Sequence, residues 1–395
     1  MATGVPSKRK RIHQPYELSY ELKMPESEVL SLHPGEPENV VDFNEGRLYR
    51  GENLDILLRL LQDKELSGGV RCVYIDPPYS TSMDFVDRNV EHAYEDNLSG
   101  AAYLEFLRRR LIVLKKLMAS DGSIFVHLDQ NMVFEIKIIM DEVFGRDNFR
   151  NFITRKKCNT KNYTRKTLGN VSDHILFYTK SEDFVWHRPF DPWSPERMQE
   201  EYPCIDKKSG RRYKRVPLHA PGVRRGATGK HWRGIAPPPG KHWQYVPERL
   251  DELDKAGEIH WSLNGNPRRK VFFDPGKGIP AQDIWTAFKD AHNQNIRITG
   301  YPTEKNFEML LRIVSCCTNK GDWVLDCFSG SGTTLEAARA LGRRFIGIDN
   351  SPAAIDATVR RLKHGRQPMG DFVGTRKPSG DRTLEPSLFD MSNGK

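Results

Sequence analysis

The run Val73-Tyr74-Ile75-Asp76-Pro77-Pro78-Tyr79 places a carboxylate, two prolines and an aromatic ring after an apolar segment. The three apolar residues predict a short buried strand of a parallel sheet. Because two prolines follow, Asp76 is kept out of the helical region and begins a stiff, extended turn. A carboxylate and backbone carbonyls can accept hydrogen bonds from an exocyclic amino group, and a tyrosine ring can stack on the flat base that carries it. A strand-ending turn with a surface tyrosine is the alternative interpretation of these residues.

A second run, Val324-Leu325-Asp326-Cys327-Phe328-Ser329-Gly330-Ser331-Gly332-Thr333-Thr334, predicts a strand, a glycine-rich turn and the start of a helix. Glycine allows a ligand close to the backbone, and a helix N-terminus offers free N–H groups to a carboxylate. The next predicted strand ends at Asp349, where an acid can hold two ribose hydroxyls. Leu335 stands where a dinucleotide fingerprint has glycine, and no Gly-Lys-Ser/Thr follows, so neither a dinucleotide fingerprint nor a phosphate loop is indicated.

The two motifs, in this order, resemble those of the amino-methylating DNA methyltransferases of the permuted beta class, in which the catalytic motif precedes the cofactor motif. The resemblance covers residues 46–180 and 296–365. It implies a DNA adenine-N6 methyltransferase that uses S-adenosylmethionine on a base flipped out of double-stranded DNA. It also implies a doubly wound, Rossmann-like α/β sheet, mostly parallel with an antiparallel edge strand, and an inserted target-recognition domain.

Two alternatives remain within the same chemistry and one outside it. Cytosine-N4 methyltransferases of this family tend to carry Ser at the place of Asp76, and protein-glutamine methylating relatives carry Asn there and lack the insert. A DNA-binding module that has lost catalysis is the alternative from another class. The presence of Asp76, Tyr79, Gly330, Gly332 and Asp349 favours an active enzyme.

The resemblance assigns residues to two roles. In catalysis, Tyr79 stacks on the flipped base, Asp76 and the Pro77 carbonyl accept hydrogen bonds from its amino group, and Pro78 stiffens the turn. The residues implied to bind the cofactor are Glu52, Asn53, Thr303, Lys305, Asp326, Phe328, Ser329, Gly330, Ser331, Gly332, Thr333, Thr334, Asp349 and Asn350. The chain departs from the family's usual residues at Glu52, Glu304 and Asn306. No metal is expected.

The charge balance favours a polyanionic partner. The chain has 395 residues, a net charge of +9 and a pI of about 9.1. Eleven basic residues and no acid lie in the stretch 207–241, within the segment predicted to recognise the target. The residues predicted to contact DNA are Lys156, Lys157, Arg211, Arg212, Lys214, Arg215, Arg224, Arg225, Trp232 and Arg233. A charged insertion without a partner is the alternative.

The order of motifs predicts the division of the chain. We expect a basic arm (1–40), a catalytic half (41–180), a target-recognition insert (181–295), a cofactor-binding half (296–365) and a disordered tail (366–395). The six cysteines form no CxxC pair, so neither a structural zinc nor a disulfide framework is indicated. No membrane-spanning run or secretory signal is visible, so a bacterial, cytoplasmic, nucleoid-associated protein is expected. The resemblance also implies a homodimer and allows a separate restriction subunit.

Overall fold

The structure is a computed structural model that describes residues 16–78, 100–159, 166–290 and 304–365, with the backbone of 297–298 and 367–368. The described chain forms two compact units. One holds the residues up to Pro189 together with those from Gln282 onward, and the other is Phe190–Ala281. The second unit lies within the segment 181–295 expected as an insert, and the target-recognition role of that segment stays a prediction.

The helices of both units, in chain order, are α1 (Glu26–Ser31), α2 (Asn53–Leu60), α3 (Gly100–Leu117), α4 (Val133–Phe144), α5 (Pro195–Glu201), α6 (Pro247–Lys255), α7 (Phe307–Cys317), α8 (Thr333–Ala340) and α9 (Pro352–His364). None of the helices in the described part of the chain combines the length and the apolar composition needed to cross a membrane.

The strands are β1 (Asn39–Phe43), β2 (Gly46–Arg50), β3 (Val70–Ile75), β4 (Met118–Leu128), β5 (Phe149–Lys156), β6 (Ser172–Thr179), β7 (Phe190–Asp191), β8 (Cys204–Ile205), β9 (Arg212–Pro217), β10 (His219–Pro221), β11 (Lys241–Trp243), β12 (Ile259–Trp261), β13 (Pro267–Phe272), β14 (Ile279–Pro280), β15 (Ile284–Trp285), β16 (Arg297–Ile298), β17 (Trp323–Asp326), β18 (Arg344–Asp349) and β19 (Gln367–Pro368).

One large sheet organises the first unit, and its strand order is β1-β2-β18-β17-β3-β4-β6-β5-β15. The five strands from β2 to β4 in this order are all parallel, whereas β1 is antiparallel to β2, and β6 is antiparallel to both β4 and β5. The predicted α/β fold with a mostly parallel sheet is thus confirmed. Antiparallel pairing occurs near both edges rather than at a single edge strand.

The centre of this sheet is covered on both faces. Every residue of β3 except Arg71 is at most 1% exposed, and helices α1 to α4 form one packed group while α7 to α9 form another. Residues of a strand alternate between the two faces, so a run of apolar side chains is stable only between two helical layers. The carboxyl ends of the parallel strands therefore form an edge that is the natural position for a ligand.

The segment expected as a basic arm, residues 1–40, packs on the core in its described part. Val29 of α1 is fully buried in the main core, and Leu18 and Met24 pack against that core. The Tyr16 hydroxyl donates to Asp141 Oδ2 at 2.6 Å, and the Tyr20 hydroxyl donates to Glu105 Oε2 at 2.7 Å. The apolar residues of this segment therefore pack on the core. The neighbouring basic run Lys8–Arg11 drew attention away from them in the sequence. Residues 1–15 lie outside the described residues.

The second unit has its own core and sheet. Strands β12-β13-β9-β8 form an antiparallel sheet, and β10 pairs with β11. A small apolar cluster forms the core of this unit. Its buried members are Leu218, Trp232, Trp243, Leu250, Leu253 and Ile259. An insert with a separate core can be described as a domain by itself.

Candidate active site

The turn after β3 carries the first predicted site residue, Asp76, directly after Ile75. Its Oδ2 atom lies 2.9 Å from Lys305 Nζ, and the two side chains are 19% and 12% exposed. Lys305 was predicted to bind the cofactor, and the structure places it against the catalytic turn. Pro77 and Pro78 continue the turn without regular structure, while Tyr79 and Thr303 lie outside the described residues.

The glycine-rich turn connects β17 to α8. Gly330 and Gly332 have φ values of +48° and +74°, in the left-handed region that favours glycine. A Cβ atom on Gly332 would lie 2.6 Å from Thr358 Cγ2. The Thr358 hydroxyl in turn donates to the Gly330 carbonyl at 2.9 Å. Helix α9 thus supports this turn closely, and only glycine fits at position 332.

Asp349, the last residue of β18, is tied to the same turn. Its Oδ2 accepts from the Gly330 N–H at 2.7 Å, and its Oδ1 accepts from the Ser351 N–H at 2.9 Å. Burial raises the pKa of Asp349, and these backbone donors together with the Asn350 N–H lower it. The predicted ribose-binding acid and its neighbour Asn350 therefore lie directly beside the glycines.

Asp326 shows that the two motifs converge. The pKa of Asp326 is raised to about 7, mainly by burial and also by the charges of Asp76 and Asp349, while hydrogen bonds from Thr334 and the Phe328 N–H act to lower it. Those two carboxylates can act on Asp326 only if they are close. Strands β3 and β17 pair as parallel neighbours, so the turns that follow them emerge side by side at one edge.

Glu52 and Asn53 lie at the start of α2, beside the glycine-rich turn. Glu52 is the N-cap and accepts from the Leu54 N–H at 3.1 Å, while the Asn53 amide donates to the Cys327 carbonyl at 2.8 Å. Asn53 links the first half of the chain to the cofactor motif. Glu52 thus caps α2 and directly precedes the residue that contacts the cofactor motif.

Arg110 on α3 is a site residue that the sequence analysis missed. Its Nε donates to Asn53 Oδ1 at 2.5 Å, it pairs with Glu52, and its guanidinium stacks 3.4 Å from the Phe106 ring centroid. The rings of Phe106 and Phe328 lie 6.1 Å apart. The sequence did contain a signal for this residue, because Arg110 lies in the apolar stripe of α3 and a buried charge requires partners.

A buried polar network lies under the catalytic turn. His127, which is fully buried on β4, has Nδ1 at 2.7 Å from the Tyr74 hydroxyl and Nε2 at 2.9 Å from Asp173 Oδ2. Arg155 pairs with Asp173 and, at 2.7 Å, with Asp290. Burial lowers the pKa of His127, although Asp173 raises it. Within the described ranges, no three His, Cys, Asp or Glu side chains are placed to hold a metal ion.

The predicted DNA-contacting residues of the second unit fall into two groups. Arg211, Arg215, Arg224 and Arg225 are exposed. Arg212 donates to the Tyr202 carbonyl at 3.3 Å, and Lys214 pairs with Glu201 at 3.2 Å. Acids from outside the 207–241 stretch therefore offset part of its charge. In the first unit, Lys156 ends β5, and Lys157 follows it; both are half-buried.

Trp232 and Arg233 are placed differently from the expectation. Trp232 is 2% exposed, and its indole N–H donates to Asp251 Oδ1 at 3.0 Å. Arg233 Nε lies 3.0 Å from the same oxygen, and the guanidinium also pairs with Asp254. Aromatic and basic residues in sequence suggested a DNA contact, but the indole fills the core of this unit. Neither residue is therefore a candidate for contact with DNA.

Known DNA methyltransferases resemble this chain in sequence. The family model described as DNA methylase matches residues 70–360. The type II methyltransferase M.EcaI of Enterobacter cloacae is 52% identical over 305 residues, which cover 77% of this chain and 67% of the relative. The type III restriction-modification enzyme StyLTI Mod subunit of Salmonella typhimurium is 27% identical, and the match covers 74% of this chain and 49% of the relative.

Among solved structures, the M1.HpyAVI-SAM complex is 18% identical with a TM-score of 0.43, covering 80% of this chain and 98% of that one. The family match and the sequence relatives identify the family of this chain. The chain spans between about half and two thirds of the length of those relatives. The chain belongs to the N6/N4 DNA methylase family.

Proposed function

We propose that the protein transfers a methyl group from S-adenosylmethionine to the N6 atom of an adenine flipped out of double-stranded DNA. The observation that supports this most is the convergence of Asp76 and the 327–332 turn at the ends of two adjacent parallel strands. These strands come from the two separate halves of the chain. Their junction is the type of position at which open α/β sheets bind ligands.

The residues around the glycine-rich turn fit the cofactor. The Ser329 hydroxyl is buried and has no hydrogen-bond partner within the described structure, so it is available to a ligand. In this proposal the N-terminus of α8 and Ser331 bind the carboxylate end, Asp349 holds the ribose, and Glu52, Phe106 and Phe328 surround the adenine. S-adenosylmethionine, when bound, supplies an electrophilic methyl group on a sulfonium.

The residues of the catalytic turn prepare the amino group. Asp76 and the Pro77 carbonyl accept its two hydrogen bonds, which draws the nitrogen lone pair away from the ring, while Tyr79 stacks on the base. Lys305, at 2.9 Å, orients the Asp76 carboxylate. Asp76 acts as an acceptor rather than a strong base, so alignment supplies most of the acceleration.

The target adenine has to leave the duplex, because its amino nitrogen cannot be reached within the base stack. The exposed arginines of the second unit contact phosphates and base edges, which is the role that the family resemblance gives to the insert. Adenine is favoured over cytosine by the carboxylate at position 76, where the N4-cytosine relatives tend to carry serine. A homodimer and a separate restriction subunit stay predictions.

The test is to express the protein in a host without endogenous DNA methylation and to digest the host DNA to nucleosides for mass spectrometry. We expect N6-methyladenine in that DNA, and its sequence context follows from single-molecule sequencing. In vitro, Asp76→Ala should lower the rate of methyl transfer by about 100-fold or more. Binding of the cofactor and of DNA should change little.

Asp147→Ala, which changes an exposed acid of the same unit, is the matched control and should keep the wild-type rate. N4-methylcytosine in place of N6-methyladenine would contradict the assignment of the base. A wild-type protein that binds DNA but neither binds S-adenosylmethionine nor methylates would be the inactive module. Near-normal transfer by Asp76→Ala would remove Asp76 from the mechanism.

A further inference from the structure

Arg361 is a buried arginine in α9 whose guanidinium donates hydrogen bonds to the glycine-rich turn. The residue is 1% exposed. Its Nη1 donates to the Ser331 carbonyl at 3.0 Å, to Ser331 Oγ at 3.1 Å and to Thr333 Oγ1 at 2.5 Å. Its Nε lies 3.0 Å from Glu336 Oε2 on α8. One side chain therefore fixes the end of the turn and the first turn of the following helix.

The same guanidinium reaches a second segment through Glu304. Arg361 Nη2 pairs with Glu304 Oε1, and the Glu304 side chain is 8% exposed. The next residue is Lys305, whose Nζ lies 2.9 Å from Asp76 Oδ2. Neighbouring residues of one short segment thus contact the two motifs of the site, Glu304 through Arg361 and Lys305 directly.

These contacts form a continuous connection from Ser331 through Arg361, Glu304 and Lys305 to Asp76. Methyl transfer requires the reacting atoms to be aligned within a fraction of an ångström, and a misplacement of about 1 Å can lower a rate about 100-fold. The two motifs are far apart in sequence and sit on separate turns, so a rigid connection between them affects that alignment directly. A guanidinium suits this task because its five donors have a fixed planar geometry.

We propose that Arg361 and Glu304 are positioning residues that set the distance between the glycine-rich turn and Asp76. The inference deepens the proposed function and rests on it, since it concerns the geometry of the same site. Neither residue touches the reacting atoms in this proposal. Glu304 positions Asp76 through the adjacent Lys305, whereas Arg361 positions both Glu304 and the glycine-rich turn.

The decisive variants are Glu304→Gln and Arg361→Lys. Glutamine keeps the size of the side chain but loses the ion pair, while Arg361 retains Glu336 as a partner. Lysine keeps the charge but cannot reach both segments at once. Arg360→Lys is the matched control, because Arg360 is the adjacent residue on the exposed side of α9.

Two quantities are measured for each variant: the dissociation constant of S-adenosylmethionine by calorimetry, and the single-turnover rate constant of methyl transfer at saturating cofactor. For Glu304→Gln we expect the transfer rate constant to fall about tenfold or more, with affinity for the cofactor within about threefold of wild type. Arg361→Lys should weaken both by about tenfold or more. Arg360→Lys should match the wild type in both.

Transfer by Glu304→Gln at the wild-type rate would overturn the proposal, and so would equal losses of affinity and transfer in that variant, which would make Glu304 a cofactor-site residue only. Circular dichroism establishes that each variant is folded at the assay temperature. If Arg361→Lys is not folded there, Glu304→Gln decides the question alone. A wild-type protein that neither binds S-adenosylmethionine nor methylates DNA would instead contradict the proposed function.

Discussion

Asp326 is a residue whose protonation changes near neutral pH in the folded protein. It is 2% exposed at the end of β17, and burial raises its pKa to about 7. In the unfolded chain the carboxyl has its ordinary pKa near 3.8. Between these two values the folded protein binds a proton that the unfolded chain has lost. The contribution of Asp326 to stability is therefore complete below pH 4 and is lost as the pH rises to 7.

Asp326→Asn removes this titration. We expect the free energy of unfolding of the variant, relative to wild type, to increase between pH 4 and 7 by at most about 1.4 kcal/mol per pH unit. Above pH 7 the difference should be constant. Urea unfolding of the cofactor-free protein at a series of pH values measures it. Asp147→Asn, at an exposed position, should follow the wild type, and a pH-independent difference for Asp326→Asn would contradict the assignment.

At the scale of single residues, the sequence revealed Asp76, Lys305 and Asp349 but not the buried arginines Arg110 and Arg361. Asp76 and Asp349 end predicted strands, and their positions followed from local pattern alone. Arg110 and Arg361 occur in ordinary amphipathic helices. Arg110 lies 57 and 58 residues from its partners Asn53 and Glu52, and Arg361 lies 57 residues from its partner Glu304. Nothing within one helical turn of either arginine indicates those partners. Such pairs become visible only once the sheet has brought the two halves together.

At the scale of elements, the glycine-rich turn depends on its contact with α9. Gly332 has a positive φ, and a Cβ there would lie 2.6 Å from Thr358. An L-residue in this conformation costs about 1–2 kcal/mol, and overpacking adds about 1–3 kcal/mol. The turn therefore requires a residue at position 332 that adopts a positive φ and has no Cβ atom to contact Thr358.

Gly332→Ala should lower the free energy of unfolding by about 2–5 kcal/mol and weaken binding of S-adenosylmethionine. Gly257→Ala is the matched control, since Gly257 has the same φ of +74° but open space at its Cβ position. That control should lose only about 1–2 kcal/mol and keep its affinity for the cofactor. Equal effects of the two changes, measured by thermal unfolding and calorimetry, would mean that the Thr358 contact is unimportant.

At the scale of the whole molecule, the net charge of +9 concerns DNA binding more than folding. The absence of acids from residues 207–241 suggested a surface free of counter-charge, but the chain places Glu201 and Asp251 beside some of those bases. A count along the sequence cannot include acids that the fold brings from flanking segments. The exposed arginines, rather than the whole stretch, are the candidates for phosphate contacts.

Neutralising Arg211, Arg215, Arg224 and Arg225 together with glutamine should weaken DNA binding and reduce the salt dependence of the binding constant. If all four contact phosphates, the slope of log K against log salt concentration should become shallower by about 3–4. Fluorescence anisotropy with a duplex at several salt concentrations measures this slope. Arg249→Gln with Lys255→Gln, on the acid-rich helix α6, is the control. An unchanged slope in the fourfold variant would remove this surface from the interface.

The position of β17 between β18 and β3 has a consequence for synthesis on the ribosome. Strands β17 and β18 lie between β2 and β3 in the sheet, and β1 and β2 on one side and β3 and β4 on the other are translated before them. Until β17 and β18 emerge, the nascent chain exposes the unpaired edge of an apolar strand, which is prone to aggregation. The protein thus acquires β17, the middle one of the five parallel strands, late in translation, and a chain released before that point would lack the cofactor turn altogether.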